Sequence, residues 1–545
     1  MNLADLKLTD VAFPVMTGAW IFRELFAFVR KDAIGMETTD SPVRKRGSRA
    51  ADEDTDALPP IVAGVKRDRY NRLDIYIPAI IAIAFYMLCI VRLDVPNEQI
   101  FDEVHHARSA MEYVDGLVPH EWSHPPFSKE MIGLSLMTWR GEFNPRDGVW
   151  KPDAKYDPRS AIGWRYASVV FGTLTLPALY FLTWCLFGNR TIATSAATLL
   201  ALDGAFFVQS RVAMTNIFTL FFITFAAGWL ALYLRQPRLR WLLFTGATLG
   251  LAIASRWSSL YAWAVAVLLL GLRWFYCIAQ AKEGQERPAK QPGFLAMLPT
   301  GSIMIGIGAL CLLAVPFVFY FATYLPNMIQ GDGTLASKLL TANGPHSLGW
   351  VKTFTLQHDM YMYHSTLVAD HPYDSPWWSW PLMLRPVWYY FHGNNDVTPH
   401  TISGVWCIGN ALIWWASVPA FVIAAYVSWK QEIRITRGAI GPLGLVAAFG
   451  LGQWLAWGIK ERALNFMHYY FECIPFACVA IAYFGYRLWT SEAGGPDAQR
   501  VRRSIVAAYA AGVVLWFIFY YPLLSAYPIS EWYYGQHLWL GRQWV

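Results

Sequence analysis

The sequence predicts an all-α polytopic membrane protein, and three observations carry that prediction. Of the 545 residues, 55% are hydrophobic and only 15% are charged, against about 25% charged in an ordinary soluble domain. The apolar residues fall in serial runs of roughly 20, the length a helix needs to cross a bilayer. Polar or basic breaks separate those runs, so they read as one bundle of spans rather than as several soluble cores.

The runs give about eleven candidate spans, near 75–91, 164–187, 191–208, 213–234, 241–254, 258–279, 303–323, 403–428, 441–459, 466–486 and 504–522. Residues 1–74 form a tail ahead of them. Within it, 11–29 is aromatic-rich but interrupted by Pro14, Arg23 and Glu24, which fits an amphipathic helix lying on a membrane surface. Residues 37–59 are polar and charged and are expected to be disordered. The first ten residues lack the pattern of a cleavable signal peptide.

Charge placement orients the bundle. Arg235, Arg238 and Arg240 share one loop, and Lys282, Arg287 and Lys290 lie two spans later. Lys430, Arg434 and Arg437, then Arg487, Arg500, Arg502 and Arg503, keep the same parity, as does the basic tail with Arg44, Lys45, Arg46, Lys66 and Arg67. The positive-inside rule puts all of these in the cytoplasm. The amino terminus is then cytoplasmic and the carboxyl terminus external. The net charge of +6 is therefore read as orientation signal, not as nucleic-acid binding. Two long segments, 92–163 and 324–402, fall outside, and loops of that length usually carry function. The seven cysteines lie in or beside apolar runs with no CxxC spacing, so they read as small packing residues.

The first external segment opens with Phe101-Asp102-Glu103-Val104-His105-His106. Two adjacent carboxylates near the membrane surface read either as a general base or as a solvated charge pair. Ser123-His124-Pro125-Pro126-Phe127-Ser128-Lys129 follows. Its prolines fix the backbone and would present His124 and Lys129 in a defined geometry, or simply turn the chain into an amphipathic helix. Arg165, Arg211, Arg256, Lys460 and Arg462 lie at external helix ends, where short connections normally avoid basic residues. Together they suggest a site for a lipid-linked phosphate, since Arg suits bidentate phosphate contact; the alternative is snorkelling to headgroups. The second external segment holds His364, His371, the run Pro376-Trp377-Trp378-Ser379-Trp380-Pro381, and Arg385. That aromatic density reads as an interfacial belt, as a platform for sugar or peptide, or as both. Glu472, about two turns into the tenth span, needs an Arg or hydroxyl partner. No nucleotide-binding or zinc-protease motif appears in a supporting context.

These residues resemble the protein O-mannosyltransferases, membrane glycosyltransferases of the GT-C fold. Phe101 to His105, followed by His124-Pro125-Pro126 and Lys129, looks like the first-loop signature of that family. The likeness runs from about residue 75 to the end, through Gly163-Trp164-Arg165, Gln209-Ser210-Arg211, Ser255-Arg256-Trp257-Ser258 and the block His364 to Tyr390. That block and the closing Trp532 to Val545 look like the bacterial branch. The resemblance implies a GT-C transmembrane catalytic domain over 75–545, in the cell membrane with its active site external. It implies a polyprenyl-phosphate-linked mannose donor, embedded in membrane lipid, and Ser/Thr hydroxyls of secreted proteins as acceptors. Asp102 falls on the family's catalytic Asp and Glu103 on its acidic neighbour. Arg165, Arg211, Arg256 and Arg462 would hold the donor phosphate, while His124, Lys129, His364 and Arg385 would support substrate. Related folds use a divalent metal, but one carboxylate centre with several arginines makes a metal cofactor unnecessary. A lipid- or glycan-modifying enzyme of the same fold, and a transporter, are the rival readings. Two departures stand out. The second external segment is too short for the β-trefoil of eukaryotic members, and Asn216 stands where many members carry Asp.

Overall fold

The structure is a computed structural model that describes residues 65–114, 119–139, 160–282, 306–328, 350–394, 400–432, 440–459, 463–541 and 544. The expectations for residues 1–64, and for Lys460 and Arg462, lie outside the described residues.

Helix dominates. Helices α1 (Leu73–Ile90), α4 (Ser160–Phe187), α5 (Arg190–Ala201), α6 (Gly204–Gln209), α7 (Asn216–Arg235), α8 (Leu239–Ser255) and α9 (Ser259–Lys282) form the first half of the bundle. Between α1 and α4, α2 (Glu103–Val114) and α3 (Phe127–Trp139) belong to the first long segment, 92–163. Helix α10 (Val315–Ala322) follows a π-helical turn at Leu310–Ala314. Short α11 (Leu325–Met328) and α12 (Trp350–Thr366) lie within the second long segment, 324–402. The carboxyl-terminal half adds α13 (Ala411–Val427), α14 (Pro442–Leu455), α15 (Ile474–Thr490), α16 (Gly495–Leu524) and α17 (Glu531–Gly535). Among the described residues, six helical stretches are long and apolar enough to cross a membrane: Leu73–Ile90, Ala161–Phe187, Asn216–Arg235, Ala411–Lys430, Met467–Thr490 and Gly495–Leu524. The apolar helices Leu239–Ser255, Ser259–Phe275 and Gly306–Ala322 are shorter.

Polar caps explain where several helices begin. The Asn189 side chain accepts from the Ile192 N–H at 3.0 Å and starts α5. Asp203 accepts from the Phe206 N–H at 2.9 Å and starts α6, which breaks the expected third span into two pieces. Such caps satisfy N–H groups that a helix leaves orphaned. Asp203 also accepts from the Asn410 N–H and the Trp414 indole, both at 2.8 Å. One buried carboxylate thus ties the two halves of the bundle together.

Helices α13, α15, α5, α4, α7, α8 and α10 pack successively against one another. Close approach of α8 to α10 depends on Gly246 and Gly250: a Cβ on Gly246 would sit 1.8 Å from the Cys311 carbonyl oxygen, and one on Gly250 2.7 Å from that of Pro316. Small residues four apart allow such contact between membrane helices.

The end of the second long segment begins a feature that counting apolar runs cannot detect. Strands β1 (Val387–Asn394) and β2 (Thr401–Cys407) pair antiparallel, and β3 (Ile529–Ser530) joins β2 in a three-stranded sheet of order β1-β2-β3. The sheet connects the Trp-rich block to the carboxyl-terminal segment. Trp544 completes this attachment by donating its indole N–H to the Met383 carbonyl at 2.9 Å.

Candidate active site

The first turn after α1 is built by two arginines. Arg165 donates through Nη1 to the carbonyls of Leu93 and Pro96 at 3.0 and 2.8 Å, and through Nη2 to that of Glu98 at 2.9 Å. Its remaining donors go to Glu103, Nε to Oε1 and Nη2 to Oε2, both at 2.9 Å. Arg211 donates to the carbonyls of Cys89, Val91 and Arg92 at 2.6, 2.7 and 2.8 Å. A guanidinium carries five N–H groups, and those of Arg165 are all taken. Both residues, expected at a donor phosphate, meet the backbone of this turn in the structure. Arg165 has no N–H left for a donor phosphate, and neither arginine lines the cavity described below. They fix the end of α1 and the turn that delivers Asp102.

Within the acidic pair the two carboxylates have opposite surroundings. Glu103 is fully buried. Besides its ion pair with Arg165 it accepts from the N–H of Ile100 at 3.0 Å and of Ala213 at 2.9 Å. Asp102 is half-buried and accepts no side-chain hydrogen bond among the described residues. The backbone enforces the difference. Phe101 has φ of 49°, a left-handed conformation that is rare for a bulky side chain. Its ring is held on every side, stacked on Tyr389 at 4.5 Å and edge-on to Phe466, His468 and His371 at 5.8, 6.0 and 6.1 Å. Gln209 donates to the Tyr389 hydroxyl at 2.7 Å and so fixes the stacking partner. Strain of this kind persists where its surroundings over-determine it.

Asp102 opens onto a cavity of about 410 Å³, within the range of small-ligand sites. Arg256, Asn216, His105, His106, Glu121, His124, His371, His468 and Tyr469 are among its lining residues. Burial pushes the Asp102 carboxyl above its ordinary value, and the charges of His124, His105 and Arg256 offset part of that rise. Arg256 is buried, donates to the Asn216 Oδ1 and lies 4.3 Å from the centre of the Tyr469 ring. Of the expected phosphate ligands among the described residues, Arg256 lines the cavity.

The His-Pro-Pro segment closes a polar knot beside Asp102. Lys129, fully buried, donates to Glu121 Oε2 and to the carbonyls of Glu121 and His124 at 2.7, 2.7 and 2.8 Å. His124 Nδ1 lies 3.0 Å from Glu121 Oε1. An ionised carboxylate only accepts, so Nδ1 carries the proton there. Burial would raise the Glu121 carboxyl, but Lys129 and His124 hold it well below the usual value. Burial also pushes His106 down to about 3, so this imidazole stays neutral. Lys129 therefore orders the loop and does not line the cavity. His364 Nε2 donates to the Ser123 carbonyl at 2.7 Å and its ring lies 5.2 Å from that of His124. Arg385 donates to the Pro372 carbonyl, through Nη2 at 2.6 Å, outside the cavity.

Sequence reasoning missed Glu121, whose signal was a carboxylate eight residues before Lys129. It also assigned no role to His105 and His106, although they lie three and four residues after Asp102. For Glu472 the hydroxyl partner is Ser258, with Arg256 close enough to act on it electrostatically. Among the described residues, no three His, Cys, Asp or Glu side chains are grouped as metal ligands.

The family model for dolichyl-phosphate-mannose-protein mannosyltransferase matches residues 79–330. That for the C-terminal four-helix membrane region of protein O-mannosyltransferase matches 349–544. A polyprenol-phosphate-mannose–protein mannosyltransferase of Corynebacterium glutamicum is 28% identical over 553 residues, covering 91% of this chain and 98% of its own. One of Mycolicibacterium smegmatis is 25% identical over 550 residues, covering 92% and 98%. The fold is similar to that of the S. cerevisiae protein O-mannosyltransferase Pmt1-Pmt2 complex bound to the sugar donor, with a TM-score of 0.66 at 15% identity, covering 89% of this chain and 94% of that one. With both family models matched in order along most of its length, the chain belongs to the protein O-mannosyltransferase family.

Proposed function

We propose that this chain transfers mannose from a polyprenyl-phosphate-linked donor to Ser/Thr hydroxyls of secreted proteins, at the external face of the cell membrane. The observation that carries the mechanism is the unengaged Asp102 carboxylate, which shares a cavity with Arg256. The acceptor hydroxyl oxygen attacks the anomeric carbon as its proton passes to Asp102. The bond from that carbon to the phosphate oxygen breaks, and polyprenyl phosphate leaves as an anion. Arg256 stabilises the charge that develops on the leaving group, so no general acid is needed. One base and a direct attack give inversion at the anomeric carbon, as in single-displacement glycoside chemistry. Glu103 acts only by holding Arg165 and the turn before Asp102.

The test is an in vitro assay with the purified full chain, polyprenyl-phosphate-mannose and a Ser/Thr peptide. Intact mass should show hexose added to the peptide, and a chelator should leave the rate unchanged. Asp102→Asn should lower the rate about 10²- to 10⁴-fold, the usual contribution of a positioned base, while its unfolding midpoint shows that it is folded. Substantial transfer by the folded variant removes Asp102 as the base. Transfer confined to lipid or glycan acceptors, with none to peptide, overturns the protein-directed reading.

A further inference from the structure

Asn216 is the first residue of α7 and is only 2% exposed. Its Oδ1 accepts a hydrogen bond from Arg256. A guanidinium can only donate, so that contact fixes the amide orientation and turns Nδ2 away from Arg256. Nδ2 is buried and has no acceptor among the described residues, yet Asn216 lines the same cavity as Asp102. Buried amide donors are normally satisfied, so this one points to a ligand acceptor.

A second feature lies on the same wall. Helix α7 is 20 residues long, and its N-cap Thr215 makes no side-chain capping hydrogen bond. The N–H groups of Asn216, Ile217 and Phe218 meet no acceptor among the described residues. Met214, Thr215 and Asn216 place this helix end at the cavity. An uncapped helix amino terminus presents positive potential and aligned donors, the combination that binds phosphates. Arg256 adds a full charge beside it and forms no ion pair within 4.0 Å among the described residues.

We propose that this wall grips the phosphate of the lipid donor, with Asn216 Nδ2 and the first turn of α7 donating to its oxygens and Arg256 balancing its charge. The inference rests on the transfer reading above and names the subsite that reading leaves open. It also gives the Asn216 departure a physical consequence. Aspartate at this position offers acceptors alone and neutralises Arg256. Asparagine leaves the arginine charge available and adds two N–H donors.

The experiment measures binding of a sugar-free polyprenyl monophosphate, and of the neutral polyprenol, to the full chain in lipid nanodiscs. Wild type, Asn216→Asp and Asn216→Ala are compared. Asn216→Asp should weaken binding of the phosphate about ten- to hundredfold, the worth of a hydrogen bond to a charged group, and leave polyprenol binding unchanged. The donor KM should rise by a similar factor, with kcat less affected. Asn216→Asp is isosteric, so it carries the test even where the Ala variant fails to fold. Unchanged affinity of folded Asn216→Asp for the lipid phosphate overturns the proposal, as does a loss seen only when the sugar is attached. Wild type that binds the phosphate in this way but transfers no mannose supports the phosphate wall and overturns the mannosyl assignment instead.

Discussion

Glu103 accepts four hydrogen bonds, from Ile100, Ala213 and twice from Arg165, whereas the Asp102 carboxylate accepts none among the described residues. A general base must hold a free lone pair, so the satisfied carboxylate is structural and the unsatisfied one is chemical. The pH dependence follows. Asp102 must be ionised to take a proton, and burial raises its pKa in the folded protein. The acid limb of kcat/KM should therefore lie above the ordinary aspartate value, and pH–rate profiles of the wild type measure it. A limb at or below that value contradicts the assignment. Linkage gives the matching stability effect. A raised folded-state pKa contributes stability that is present below the unfolded pKa and lost as pH rises through the folded one. At neutral pH Asp102 is therefore a cost to folding, and Asp102→Asn should unfold at a temperature no lower than the wild type.

At the scale of elements, the site depends on how closely α8 can lie against its neighbours. Helix α8 ends at Ser255, and Arg256 is its C-cap. The position of that guanidinium is thus set by helix packing as well as by its own contacts. Gly246 and Gly250 permit the approach to the Cys311–Pro316 backbone. Gly246→Val should lower the unfolding midpoint, because a carbonyl oxygen cannot yield as a flexible side chain does; overpacking costs about 1–3 kcal/mol or more. Transfer should fall as well, since Arg256 moves with the helix. A Gly246→Val protein with wild-type stability and rate shows that α8 reaches its place without this contact. The loop 121–129 is the second such element. In its Lys129–Glu121 pair, Glu121 lines the cavity and positions His124, while Lys129 stands behind it outside the lining.

At the scale of the molecule, one end of the bundle carries the arginine-rich connections and the other the cavity. Asp74 and Arg190, paired at 2.8 Å, mark the first end at the starts of α1 and α5. The positive-inside rule predicts that end to be cytoplasmic, and the expected place of Asp102 is then outside. Val368 is 87% exposed in the second long segment, and Arg500 is exposed near the start of α16. In intact cells, a membrane-impermeant thiol reagent should label Val368→Cys and leave Arg500→Cys unlabelled until the membrane is opened. The six described cysteines are buried and free, so they add little background. The reverse labelling pattern inverts the topology and moves the cavity to the cytoplasm.

Periodicity made the helical membrane architecture and its long connecting segments legible in the sequence, because lipid and water sort residues by transfer free energy wherever the chain runs. The Asp102 motif was legible by resemblance, and Arg256 was among the expected phosphate ligands. The division of labour among the cations was not. Arg165, Arg211 and Arg256 all lie at helix ends, and their sequences carry no mark of which guanidinium meets carbonyl oxygens. Only the folded chain shows Arg165 and Arg211 spent on the turn after α1 and Arg256 facing the cavity. The same holds for Phe101, whose ring is fixed by residues 371, 389, 466 and 468. Whether a polar group is satisfied or free depends on distances of about 3 Å between atoms far apart in sequence. Hydrophobic pattern sets which segments meet lipid, and tertiary structure alone decides which charged group is left to react.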